Sequence, residues 1–94
     1  MRLTTEEIKV LKTTLQTLSS QAKLYLFGSR VDDTQKGGDI DLLIVAKDFN
    51  REKLRSLRLE FFKYFGEQKL DIIIDDGSFQ DPFHRIIFQK AVIL

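Results

Sequence analysis

The sequence contains no cysteine and only one histidine. Without cysteine the chain can form no disulfide framework, no thiolate zinc site and no thiol nucleophile. Its N-terminus lacks the apolar core of a signal peptide, and no apolar run approaches the ~18 residues of a membrane-spanning helix. We therefore expect a soluble, cytoplasmic protein with no membrane partner.

An excess of charge of one sign is also missing. The chain has 15 basic and 14 acidic residues, for a net charge of +1. A balance this even creates no field that would favour direct nucleic-acid binding, and it disfavours nucleic-acid polymerisation. The length of 94 residues predicts a single domain over residues 1–94. Eight Phe and two Tyr, within a hydrophobic fraction of 43%, are sufficient for a core.

Cap residues and apolar periodicity predict helices that alternate with strands. Thr4 and Glu7 form a capping box before a helix over residues 5–19. Three strands are expected after it, over residues 22–27, 39–46 and 69–75. The first two are joined by a short helix over 29–33 and a loop over 34–38, and the last two by a helix over 51–65 that ends at Gly66. A last helix over 82–90 is expected to bury Phe83, Ile86 and Ile87, and residues 92–94 form an apolar edge strand or contact surface. This order predicts the α/β or α+β class, with helices packed on a small sheet.

Gly28 and Ser29 stand where an apolar strand gives way to a turn. Glycine allows the backbone to approach a ligand closely, and a serine hydroxyl near a helix N-terminus is suited to phosphate. Arg30 and Lys36 could add positive charge to a phosphate, although each taken individually is better explained as a solvated surface side chain. Gly-Ser is also common in ordinary turns, so this pair alone indicates little.

Asp39 and Asp41 open the second predicted strand and project from the same face, because side chains alternate along a strand. Paired carboxylates are suited to Mg²⁺, which prefers a few carboxylates together with substrate phosphate oxygens. Two such ions can stabilise both oxygens of an in-line displacement, and Mn²⁺ would fit the same ligands. The alternative is a turn aspartate followed by an exposed aspartate at the start of a strand.

Asp71 interrupts the apolar strand predicted over residues 69–75. If that strand lies next to the one over 39–46, Asp71 stands beside Asp41 and could hold a metal or accept a proton from an attacking hydroxyl. The alternative is an exposed residue on an edge strand. Asp75 and Asp76 are expected to form a turn before Gly77.

His84 lies near the start of the last predicted helix. A lone histidine at such a place is more often a surface or partner-contact residue than a catalyst. We therefore expect no catalytic role for it.

Together, Gly28-Ser29, Asp39-x-Asp41 and Asp71 resemble the pattern of the minimal nucleotidyltransferase family, in the DNA polymerase β-type superfamily. The resemblance covers about residues 22–75. It implies a mixed sheet flanked by helices, ATP and Mg²⁺ bound at the strand ends, and transfer of a nucleoside monophosphate with release of pyrophosphate. It also implies Gly28 and Ser29 at the phosphates, Asp39 and Asp41 as metal ligands, and Asp71 as ligand or base.

Free-standing members of that family are similar to antitoxins that act with a HEPN-domain partner. The resemblance thus implies an Mg²⁺-dependent enzyme that transfers AMP from ATP to a tyrosine of a HEPN toxin, in a homo- or hetero-oligomer. Two alternatives remain open. One is a nucleotidyltransferase for a small hydroxyl acceptor such as an aminoglycoside, and the other is a non-catalytic module that neutralises its partner by contact.

Overall fold

The computed structural model describes residues 3–28 and 39–94 of the chain. The elements in these ranges are α1 (Thr5–Leu18), β1 (Lys23–Phe27), β2 (Ile40–Val45), α2 (Arg51–Phe65), β3 (Leu70–Asp75), α3 (Pro82–Lys90) and β4 (Val92–Ile93). The short helix predicted over 29–33 and the loop predicted over 34–38 lie outside the described residues. Within those two ranges no helix combines the length and the apolar character needed to cross a membrane.

The four strands form one mixed sheet in the order β3-β2-β1-β4. The central strand β2 pairs antiparallel with β1 and parallel with β3, and β4 pairs antiparallel with β1 at the outer edge. With three helices packed around this sheet in the described ranges, the α+β class is confirmed. Strands β1, β2 and β3 begin one residue later than predicted, and β2 also ends one residue earlier.

Each of the three described helices begins at a side-chain cap, and the capping box at Thr4 and Glu7 is the one predicted above. The Thr4 hydroxyl accepts a hydrogen bond from the Glu7 N–H at 3.1 Å, and the Thr4 N–H donates to Glu7 Oε1 at 2.9 Å. Asn50 caps α2, and Asp81 caps α3 ahead of Pro82. These caps satisfy backbone donors that have no partner inside the helix, which fixes where each helix starts.

The main core lies between one face of the sheet and the helices α1 and α2. Leu26, Leu42 and Ile72 are neighbours across the three longer strands and point towards these helices. The helices contribute Leu11 and Leu15 from α1, and Leu57 and Phe61 from α2. In β2, Leu42 and Leu43 are both fully buried although they face opposite sides, which confirms that β2 is a central strand covered on both faces.

Helix α3 packs on the opposite face of the sheet, and the predicted burial of its apolar side chains was wrong in part. Ile87 is buried as expected, but Phe83 is 59% exposed and Ile86 is 56% exposed. A short surface helix buries only one stripe, and adjacent residues such as Ile86 and Ile87 point in directions about 100° apart. The ring of Phe88 packs edge-on against Tyr25 of β1, with ring centroids 5.2 Å apart.

Candidate active site

Strands β2 and β3 place Asp41 and Asp71 side by side. The two residues are register partners in the parallel pair, and both are partly buried. Their position in the alternation puts them on the face opposite the core formed with α1 and α2. The predicted adjacency of these residues is therefore confirmed, while their roles as metal ligands and as a catalytic base stay predictions.

The environment of Asp41 disfavours its negative charge. Burial raises the pKa of the Asp41 carboxyl, and the charges of Asp71 and Asp39 raise it further. A hydrogen bond with Asp71 acts in the same direction, whereas the positive charge of Lys69 opposes these effects on the Asp41 pKa. Holding Asp41 in its anionic form therefore has a free-energy cost, which a nearby cation would relieve.

Asp39 lies just before β2 and is half-exposed. Its Oδ2 atom is 3.5 Å from Nζ of Lys69, the residue just before β3. The Ile40 N–H donates to the Lys69 carbonyl oxygen at 3.1 Å, which ties the starts of the two strands together. Asp39 is thus close enough to affect Asp41 but is paired with a lysine.

Gly28 ends β1 directly against the Asp41 side chain. Its φ angle is +77°, in the left-handed region, and a Cβ atom added there would lie 3.0 Å from Cγ of Asp41. Glycine is therefore needed at this position both for the backbone angle and to leave room for the Asp41 carboxylate. Ser29, Arg30 and Lys36 lie outside the described residues, and their predicted roles at the phosphates stay predictions.

The donor set fits a hard divalent cation in its chemistry. Mg²⁺ and Mn²⁺ prefer carboxylate oxygens as ligands. Either cation would stabilise the negative charge of Asp41, which Asp71 and Asp39 disfavour. Across residues 3–28 and 39–94, no three His, Cys, Asp or Glu side chains converge in an arrangement that would already hold a metal ion. The structure thus brings Asp41 and Asp71 together, with Asp39 turned to Lys69.

A second polar cluster lies at the other end of β3, and the sequence only partly revealed it. Asp75 is 5% exposed, and its Oδ2 atom accepts hydrogen bonds from the N–H groups of Gly77 at 2.8 Å and Phe79 at 3.1 Å. Nδ1 of His84 lies 2.8 Å from Asp75 Oδ1, and Nε2 of His84 lies 3.5 Å from an oxygen of Asp81. Asp75 therefore forms the predicted turn, but it also attaches α3 to the sheet through His84.

Burial would raise the pKa of Asp75, but the hydrogen bonds from His84 and from the two backbone N–H groups outweigh it and hold the pKa below its ordinary value. His84 is thus part of a structural pair and is not the simple surface residue that was expected. One sequence signal indicated on which face of the sheet Asp75 lies: it follows Asp71 by an even number of residues and therefore shares its face of β3.

The family model of the nucleotidyltransferase domain matches residues 8–94, a span that includes every strand of the sheet and all three aspartates of the site. The comparison with curated proteins finds no significant match. Because the family model covers nearly the whole chain, the protein belongs to the nucleotidyltransferase domain family.

Proposed function

We propose that this chain is an Mg²⁺-dependent adenylyltransferase that transfers AMP from ATP to a hydroxyl group of a partner protein. Nucleotidyl transfer as such is the activity of its family. The observation that best supports the proposal is the register pairing of Asp41 with Asp71 directly against Gly28. Two neighbouring carboxylates on one face of a strand pair repel each other when no cation is bound, and a divalent cation relieves this repulsion.

In the proposed reaction the aspartates share the metal, and one of them also acts as the base. Asp41 and Asp71 would hold the metal, with Asp39 as a further ligand once Lys69 no longer pairs with it. A divalent cation held there would neutralise negative charge on the α-phosphate and on the leaving pyrophosphate. Asp71 accepts the proton of the attacking hydroxyl. The hydroxyl oxygen forms a bond to the α-phosphorus of ATP, and the bond from that phosphorus to the pyrophosphate oxygen breaks.

The proposed acceptor is a tyrosine of a HEPN-domain toxin, which would make the chain its antitoxin in a hetero-oligomer. This part follows from the resemblance to free-standing minimal nucleotidyltransferases. Exposed apolar side chains on α3 and β4 are consistent with a protein partner, since Phe83, Ile86 and Ile93 are each more than half exposed. A small hydroxyl compound as acceptor, or neutralisation by contact alone, remains the alternative.

The test is transfer of α-phosphate-labelled ATP, with Mg²⁺, onto a HEPN-domain protein that co-purifies with this chain. The matched pair of variants is Asp41→Asn in the site and Asp76→Asn on the exposed turn after β3. We expect label on the HEPN protein with wild type and Asp76→Asn, and none with Asp41→Asn or with the acceptor tyrosine changed to Phe. If the wild type transfers no label and Asp41→Asn still neutralises the toxin, the chain acts by contact and the proposal is wrong.

A further inference from the structure

Lys69 sits among the three aspartates of the candidate site. It precedes Asp71 by two residues, as Asp39 precedes Asp41, and its Nζ atom lies 3.5 Å from Asp39 Oδ2. The backbone bond from Ile40 to Lys69 holds the two strand starts in place. The described part of the site thus combines three carboxylates with one ammonium group, and that ammonium also acts on the charge of Asp41.

We propose that Lys69 is a positioning residue that exchanges partners when the site is loaded: it pairs with Asp39 while no metal is bound, and it moves to the phosphates of the nucleotide when a divalent cation takes Asp39. This inference rests on the proposed function, because it requires a metal at the aspartates. It goes further by naming the group that competes with the metal and then contacts the triphosphate.

Charge explains why the exchange would occur. A divalent cation at Asp39 and Asp41 repels an ammonium group a few ångströms away and competes with it for the same carboxylate oxygens. The incoming triphosphate carries several negative charges into the same space, and lysine is a common phosphate ligand that acts as a point charge. The ammonium therefore loses one anionic partner and gains another in a single loading event.

The exposure of the pair explains why the exchange would be easy. The side chain of Lys69 is 68% exposed and that of Asp39 is 45% exposed, so their ion pair is screened by water and weak. A lysine side chain has a flexible stem that can reorient without any movement of the backbone. No rearrangement of β2 or β3 is required.

Lys63 offers a matched control, because it belongs to α2, which packs on the face of the sheet opposite Asp41 and Asp71. Its side chain is 69% exposed, and its Nζ atom lies 4.0 Å from Glu60 Oε1. The two lysines thus have the same exposure and a similar weak ion pair, but only Lys69 faces the aspartates. If the Lys69 and Lys63 variants differ in ligand binding, the cause is the position of Lys69 in the site and not the loss of one surface charge.

The experiment measures Mn²⁺ binding without nucleotide and then ATP binding with Mn²⁺, both by calorimetry. It uses the wild type and the variants Lys69→Gln, Lys69→Arg, Lys63→Gln and Asp41→Asn. We expect Lys69→Gln to bind Mn²⁺ about two- to fivefold more tightly, because a weak competing ion pair is gone. The same variant should bind ATP about tenfold more weakly, because a charged contact to phosphate is lost. Lys69→Arg should restore ATP binding, and Lys63→Gln should match the wild type.

Two results would overturn the role of Lys69. One is unchanged binding of both Mn²⁺ and ATP in Lys69→Gln, and the other is weaker Mn²⁺ binding in that variant. In both cases the proposed function still stands if the wild type binds Mn²⁺ and Asp41→Asn does not. If the wild type and Asp41→Asn both fail to bind Mn²⁺, the proposed metal site itself is wrong, and the role of Lys69 is wrong with it.

Discussion

Asp41 and Asp71 are register partners on parallel strands, so each carboxylate lies within reach of the other's negative charge. The arrangement is unfavourable for an empty protein and favourable for one that holds a cation. A site built in this way should make the protein less stable than its fold alone would allow. The first prediction tests this conflict between function and stability.

Replacing Asp41 with Asn should abolish transfer and leave the metal-free protein at least as stable as the wild type. We expect activity to fall at least about 100-fold, or about 2.7 kcal/mol of transition-state stabilisation. The free energy of unfolding at pH 7 should rise by up to about 1 kcal/mol, because the repulsion is partly screened by water. Urea unfolding gives the stability, and a lower stability of Asp41→Asn in metal-free buffer would contradict the account.

The same conflict predicts how stability depends on pH. The pKa of Asp41 lies above its ordinary value of 3.8 in the folded protein, so the folded state binds the proton more tightly than the unfolded state. The Asp41 contribution to the free energy of unfolding should therefore fall as pH rises from 3.8 through the folded pKa. Subtracting the pH profile of Asp41→Asn from that of the wild type isolates this contribution, and a difference that rises with pH in this window would be the wrong sign.

Gly28→Ala should disturb the site, whereas Gly66→Ala should only strain the backbone. The two glycines have φ angles of +77° and +79°, but an added Cβ meets Asp41 at Gly28 and nothing within 4 Å at Gly66. Each variant should lose about 1–3 kcal/mol of stability, because a residue with a side chain rarely adopts a positive φ angle. Only Gly28→Ala should also weaken Mn²⁺ binding, because its Cβ displaces the Asp41 carboxylate. Equal Mn²⁺ affinity in the two variants would show that Gly28 does not position Asp41.

Asp75 and His84 should matter for stability and not for transfer. Replacing Asp75 with Asn weakens hydrogen bonds to a buried charged group, and we expect a loss of about 1.5–3 kcal/mol. The pKa of Asp75 is lowered in the folded state, so its stabilising contribution is present above pH 3.8 and is lost as pH falls below that value. Urea unfolding at pH 7 and at acidic pH checks both points, with Glu67→Gln at an exposed position as control.

Activity of the folded Asp75→Asn protein should match the wild type at low temperature, because Asp75 and Asp71 stand at opposite ends of β3. A large loss of activity in a variant that remains folded would place Asp75 in the reaction and would contradict a purely structural role.

The sequence predicted the centre of the site well because strand geometry is strict. Asp71 was expected beside Asp41 if their two strands were neighbours, because each aspartate lies near the start of an apolar strand and strand alternation leaves only two faces. The cap at Thr4 could also be predicted, because a capping side chain acts on the next few residues along the chain.

Most other contacts between residues far apart in the chain could not be predicted from the sequence. The apolar pattern of α3 does not show which stripe meets the sheet, so Phe83 and Ile86 were wrongly expected to be buried. The pairing of His84 with Asp75 depends on where α3 crosses the sheet, which no local pattern specifies. The contact between Gly28 and Asp41 was missed for the same reason, since it forms only when β1 and β2 are paired.

The most direct test of nucleotidyl transfer at Asp41 and Asp71 is to compare two labels on ATP. Wild type, Asp41→Asn, Asp71→Asn and Asp76→Asn are each incubated with Mg²⁺, the acceptor protein, and ATP labelled at either the α- or the γ-phosphate. We expect the α-label alone to reach the acceptor with wild type and Asp76→Asn, and neither label to reach it with Asp41→Asn or Asp71→Asn. Transfer of the γ-label, or α-label transfer that survives in Asp41→Asn and Asp71→Asn, would contradict the assignment of the reaction to this pair of carboxylates.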